Sequence, residues 1–299
     1  MSDGIIHTEE LTKSYGKNRG INDVSLDVRP GEVFGFLGPN GAGKTTTIRT
    51  LLDFIRPNNG TATVFGMDAH RQSREIRRRI GYLPGDLALY EKLKGAEMLR
   101  YGGNLRGGVD WKEVEVLAER LDSDLSRPIR TLSHGNRQKI GLIQALMHKP
   151  ELLILDEPTN GLDPLIQQVF YQLITEVEEQ TVFLSSHNLP EVERVCDRVG
   201  IIREGRLIAV EEVSALKSRA LRQLEIHFGA PVSEDAFANV AGISDLSVEH
   251  NVLRCTVKGT LDAVIKAASR FEVVNLISHE PSLEDIFLAY YDRGENNAE

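Results

Sequence analysis

The chain has 299 residues, with 44 acidic and 35 basic side chains and a formal net charge of −9. That balance excludes a general nucleic-acid binder, which needs a basic surface against the phosphate backbone. A hydrophobic content of 41% is that of a globular chain rather than a disordered one.

No apolar run approaches the ~18 residues that cross a membrane. The first residues, Met1-Ser2-Asp3-Gly4, carry neither a basic region nor an apolar signal core, so a cytoplasmic location is expected. Cys196 and Cys255 are too few for a disulfide framework and read as small core residues.

In chain order, residues 21–28 read as a strand ending in the turn Arg29-Pro30-Gly31. The apolar run 33–37 follows, then the segment Gly38-Pro39-Asn40-Gly41-Ala42-Gly43-Lys44-Thr45, then a helix through Leu52. Residues 60–65 return as a strand, and 87–149 turn to helical periodicity. There Trp111, Val114, Leu117, Ala118 and Leu121 share one helix face. The run 152–155 is a short apolar strand ending in Asp156-Glu157-Pro158. Runs 181–185 and 199–203 are two more, separated by a helix over 189–196. Strands alternating with helices predict an α/β domain over 1–211 with a mostly parallel sheet, its ligand at the carboxyl ends of the strands.

Beyond 211 the pattern changes. Strands over 224–228, 252–257 and 273–277 and a helix over 261–271 suggest a small C-terminal α+β domain, 212–299. The order strand, helix, strand, strand, helix, strand fits a ferredoxin-like unit. A last helix is expected from Pro281-Ser282, with Asp285 closing a capping box, before a frayed tail over 292–299.

The segment 38–45 fits G-x-x-x-x-G-K-[ST], a spacing that holds phosphates. Its glycines let successive N–H groups point into one concavity, and the helix that follows presents an electropositive N-terminus. Lys44 reaches toward β- and γ-phosphates, and the Thr45 hydroxyl is a hard ligand for Mg²⁺. With that loop in place, Asp156 is read as a second Mg²⁺ ligand. Glu157, turned elsewhere at the strand end, is read as the residue that polarises the attacking water.

At this point residues 5–211 resemble the ATP-binding cassette (ABC) ATPases. Besides the P-loop, five elements carry the resemblance in the expected order. They are Tyr15 in Lys13-Ser14-Tyr15-Gly16, the signature Leu132-Ser133-His134-Gly135-Asn136, Asp156-Glu157-Pro158-Thr159, Gly161-Leu162-Asp163-Pro164, and His187 in Ser185-Ser186-His187. The resemblance implies a P-loop NTPase fold of the ABC type with a helical subdomain at 87–149, and ATP with Mg²⁺ as cofactors. It implies nucleotide contacts from Tyr15, Gly38, Pro39, Asn40, Gly41, Ala42, Gly43, Lys44, Thr45 and Thr46. Ser133, Gly135 and Asn136, at the start of a helix over 136–147, would contribute in trans from a second cassette. Thr45 and Asp156 would hold the metal, and Glu157, His187 and Lys44 would act in catalysis. It also implies a separate transmembrane permease, a cassette dimer (a homodimer in preference to a heterodimer), no nucleic acid, and a seat on the inner face of the membrane.

The texture Leu132–Lys139 and the stretch Ser282–Phe287 resemble the ABC-2 type exporters of drugs, antibiotics or polysaccharides. The alternative is a soluble cassette ATPase acting on the ribosome or DNA; such proteins usually pair two cassettes in one chain or carry long insertions, and neither is visible. Two departures stand out. His134 and Asn136 replace the usual Gly and Gln of the signature. Gly85, in Leu83-Pro84-Gly85-Asp86, stands where a glutamine normally contacts Mg²⁺, so either Asp86 substitutes or the role lapses.

Overall fold

The computed structural model describes residues 4–16, 18–177, 179–219 and 222–279. These divide into two compact units, 1–211 and 212–299. In the first, β1 (Ile6–Tyr15) and β2 (Asn18–Val28) pair antiparallel before β3 (Val33–Leu37) enters a different sheet and feeds α1 (Lys44–Leu51). The chain then returns through β4 (Asn59–Val64) and β5 (Met67–Asp68), giving a four-stranded antiparallel sheet of order β2-β1-β4-β5. No strand was predicted over 6–15. The reason is local: three register shifts against β2 and a left-handed Glu10 (φ 49°) break the two-residue alternation.

Next come α2 (Ser73–Arg79), β6 (Ile80–Leu83), and the helices α3 (Gly95–Leu105), α4 (Trp111–Arg120) and α5 (His134–Leu146). On α4 the predicted apolar face is realised, with Val114, Leu117 and Ala118 buried along with Leu121 just beyond. The unit closes with β7 (Leu152–Asp156), α6 (Pro164–Thr175), β8 (Thr181–Ser186), α7 (Leu189–Val195), β9 (Arg198–Arg203) and β10 (Arg206–Glu212).

The larger sheet has the order β10-β9-β3-β8-β7-β6, and β9, β3, β8, β7 and β6 run parallel. Every residue of β3, β7 and β8 is buried. Parallel strands covered on both faces have no solvent side, which is why they read as continuous apolar runs. Phe34, Phe36 and Phe183 knit β3 to β8, with ring centroids 5.8 and 5.4 Å apart. This arrangement brings the carboxyl ends of β3, β7 and β8 side by side.

The second unit contains α8 (Val213–Arg219), β11 (Arg222–Phe228), β12 (Ile243–Glu249), β13 (Val252–Val257), α9 (Asp262–Ala268) and β14 (Val273–His279). Its antiparallel sheet has the order β12-β13-β11-β14 over a core that includes Ile226, Phe228, Phe237, Leu253 and Val264. That is the strand order of a ferredoxin-like unit, with one correction. Between β11 and β12 the expected helix is only a short 3₁₀ turn, Glu234–Ala236. Gly229 and Pro231 break the segment on one side and Gly242 on the other, leaving too few residues for a crossover helix. The last helix expected from Pro281 and the tail 292–299 lie outside the described residues. Among the described residues no helix is long and apolar enough to cross a membrane.

Candidate functional site

The central candidates sit at or just past the ends of the buried strands β3, β7 and β8. The loop 38–43 leaves β3, and its first N–H, on Gly38, donates to Ser186 O at the end of β8 (3.2 Å). Gly41 and Gly43 hold left-handed φ of 80° and 113°. A Cβ on Gly43 would come within 2.7 Å of Ile21 Cγ2 and one on Gly38 within 2.3 Å of the backbone oxygen of Ile202, so neither position has room for a side chain. Gly43 ends the loop and α1 starts with no side-chain cap. The first N–H groups of a helix have no partner within it, so an end without a side-chain cap is an arrangement that can receive an anion.

Lys44 is a buried cation, only 5% exposed. Its Nζ donates to Gly38 O (2.6 Å) and Pro39 O (3.2 Å) and lies 3.1 Å from Glu157 Oε1. Thr45 Oγ1 donates to Asp156 Oδ2 at 2.8 Å, bringing the two residues read as metal ligands into contact. Asp156 is 2% exposed, and its other oxygen, Oδ1, accepts from Ser185 Oγ (2.5 Å).

Glu157 is where the strand breaks. Its φ of 52° is left-handed, a conformation most residues avoid. The kink sends its side chain away from that of Asp156, so Oε2 meets His187 Nδ1 at 2.5 Å while Oε1 faces Lys44. One carboxylate thus sits between the phosphate-loop lysine and an imidazole that is half exposed. Lys44, Thr45, Asp156, Glu157 and His187 thus form one connected cluster.

The remaining predicted residues lie elsewhere. Tyr15 is exposed at the end of β1, with Lys13 Nζ 5.6 Å from its ring centre. Ser133 caps α5 by accepting from Asn136 N–H (3.3 Å). The helix begins at His134 rather than at the expected 136, because that cap makes His134 its first turn. Gly135 packs directly on Gly161: a Cβ on the former would meet Gly161 O at 2.3 Å, and a Cβ on the latter would meet the His134 ring at 2.3 Å. Gln138 Nε2 adds a buried bond to Pro158 O (3.0 Å).

At the expected departure from the family pattern, Gly85 lies beside the Asp156 carboxylate. A Cβ there would lie 3.3 Å from Asp156 Oδ2, closer than ordinary contact, so that the carboxylate would have to give by a few tenths of an ångström, while Asp86 is exposed. Sequence reasoning missed two buried polar residues of this cluster, Ser185 and Glu191. Glu191 is 2% exposed and accepts from Ser186 Oγ at 2.5 Å. Burial pushes its carboxyl above the usual range, against the opposing pull of the Ser186 and Thr159 hydroxyls. The sequence signal was faint, two serines after the apolar Val182-Phe183-Leu184, and did not by itself mark either residue.

An uncapped helix N-terminus, a buried lysine, and a hydroxyl–carboxylate pair beside it fit a nucleoside triphosphate with a divalent cation. Fold and site together define a P-loop nucleotide-binding ATPase domain. The family model described as ABC transporter matches residues 21–160. The bacitracin transport ATP-binding protein BcrA of Bacillus licheniformis is 39% identical over 226 residues, 74% of each chain. The linearmycin resistance ATP-binding protein LnrL of Bacillus subtilis is 32% identical over 302 residues, covering 95% of this chain and 97% of that one. A solved ATP-binding subunit of an ABC transporter superposes with a TM-score of 0.64 at 30% identity, over 71% of this chain and 92% of its own. The chain belongs to the ABC transporter family, as an ATP-hydrolysing nucleotide-binding subunit.

Proposed function

We propose that this subunit drives export of an antibiotic-like or other amphiphilic compound through a separate transmembrane permease, seated against the inner face of the membrane. The observation that carries this reading is the convergence of Lys44, Thr45, Asp156, Glu157 and His187 at the ends of three parallel strands. Relatives named for bacitracin transport and linearmycin resistance support the exporter direction over a role on ribosome or DNA.

In this reading Lys44 and the N–H groups of the 38–45 loop bind the β- and γ-phosphates, and Tyr15 stacks on the adenine. Thr45 and Asp156 hold Mg²⁺, which would supply charge neutralisation at the phosphates. Glu157 polarises the attacking water, and His187, bonded to it, orients that carboxylate and faces the γ-phosphate. Ser133, Gly135 and Asn136 open α5 toward the phosphates of a second cassette, so that two ATP molecules are shared between two subunits, a homodimer by preference.

The permease would dock where α1 and β6 meet the helical segment. Phe54, Tyr82 and Gly102 line a groove there with Arg77 and Arg106, and exposed Arg74, Arg78 and Leu105 extend it. Arg77 and Arg106 are tied down by backbone carbonyls, Leu52 O for the first and Arg77, Arg78 and Ile80 O for the second. A groove with apolar walls and four arginines suits an amphipathic segment carrying carboxylates. The double variant Arg74→Glu, Arg78→Glu is expected to keep its ATPase activity as isolated protein yet to fall several-fold in the membrane fraction when expressed with its permease. Undiminished recruitment would remove the arginines from the docking surface.

The reading as a whole is tested by purifying the chain from native membranes in mild detergent with Mg²⁺-ATP. A stoichiometric multi-spanning polypeptide is the expected companion; ribosomal or DNA-repair proteins in its place would overturn it.

A further inference from the structure

Two adjacent serines close β8, and strand alternation turns them to opposite sides. Ser186 faces Glu191. Ser185, with 0% exposure, faces the acids at the end of β7. Its single hydroxyl does two things at once. Oγ donates its proton to Asp156 Oδ1 at 2.5 Å and accepts from Glu157 N–H at 3.2 Å. The same N–H also reaches Ser185 O at 3.1 Å, so it is shared between two acceptors of one residue.

The consequences differ for the two acids. Asp156 has its oxygens divided: Oδ1 is held by Ser185, and Oδ2 is turned toward Thr45 and the flank that Gly85 leaves without a side chain. With one oxygen fixed, the carboxylate plane cannot rotate to offer the other face. Glu157 is held through its backbone, at the residue whose φ of 52° is left-handed and needs external restraint. Only a hydroxyl both donates and accepts at one small atom. Alanine can do neither, and the larger amides do not fit a fully buried position between two strands.

We propose that Ser185 is a positioning residue for the hydrolytic site, orienting Asp156 toward the metal and pinning Glu157 in its kinked conformation. The inference rests on the assignment of Thr45 and Asp156 to Mg²⁺. It is tested by titrating Mg²⁺ into purified full-length protein with a fluorescent N-methylanthraniloyl ATP, alongside the same binding in EDTA, and by measuring turnover.

Ser185→Ala is expected to need about tenfold more Mg²⁺ for half-maximal binding and to lose roughly 10- to 100-fold in turnover, the usual range for losing a metal ligand's support. Binding in EDTA should match wild type, and Ser185→Thr should restore the Mg²⁺ half-point. A side chain that merely supports the fold would lower the melting temperature and leave that half-point in place. Should Ser185→Ala fail to fold, Ser185→Cys against Ser185→Thr decides, since the thiol is a poor donor of similar bulk; equal half-points there overturn the proposal. Asp156→Asn separates the two levels of the argument. If it shifts the half-point and Ser185→Ala does not, the role of Ser185 falls alone. If neither shifts it, the metal assignment falls with it.

Discussion

Glu157→Gln is expected to bind ATP as tightly as wild type but to hydrolyse it at least about 100-fold more slowly, the scale for removing a general base. The geometry makes this substitution informative. The carboxylate lies between Lys44 and His187, and both contacts are polar ones that an amide of the same shape can largely keep. What the amide cannot do is take up a proton from water. Binding and chemistry should therefore separate, and a dimer held together by unhydrolysed ATP should accumulate. Single-turnover hydrolysis and size-exclusion chromatography with and without ATP measure the two halves. Turnover at the wild-type rate would remove Glu157 from the role of base and direct attention to His187.

Lys44→Ala is expected to produce the complementary result. Lys44 is the one cation placed within the 38–45 loop, and it is buried against that loop's own carbonyls. Charge-assisted bonds contribute about 1.5–3 kcal/mol each. Losing those to the β- and γ-phosphates should weaken ATP binding by about 100-fold or more. Equilibrium binding of the fluorescent nucleotide measures this directly, with circular dichroism to show that the fold persists. Affinity within a factor of a few of wild type would mean that the loop's N–H groups alone carry phosphate recognition.

How much of this was legible in the chain follows from what kind of constraint each part obeys. The phosphate loop could be read because its glycines answer a local demand: Gly41 and Gly43 take dihedrals that other residues resist, so residue type and spacing are fixed together. Asp156 and Glu157 could be read because an acidic pair after four buried apolar residues is anomalous by itself. Ser185 and Glu191 could not. A serine ending a strand and a glutamate in a helix are ordinary in one dimension; they stand out only in the fold, where Ser185 meets Asp156 across β8 and β7 and Glu191 on α7 meets Ser186. The N-terminal sheet was half legible, its β1 disguised by register shifts and polar outward residues. In the second unit three of the four strands were located but β12 was not, and the missing crossover helix reflects how little chain lies between Gly229 and Gly242.

The contact between Gly135 and Gly161 has a consequence for how this sequence can change. Each glycine leaves room for the backbone or ring of the other's segment, and a methyl group at either position would wedge the same seam open. Once one has been widened, the second change meets a gap already made. Gly135→Ala and Gly161→Ala should each destabilise the protein, and the double variant should lose less than the sum, apart from the added strain of a left-handed residue at 161 (φ 77°). Two sites more than twenty positions apart in sequence are thus coupled through one seam, and the cost of changing either depends on what occupies the other.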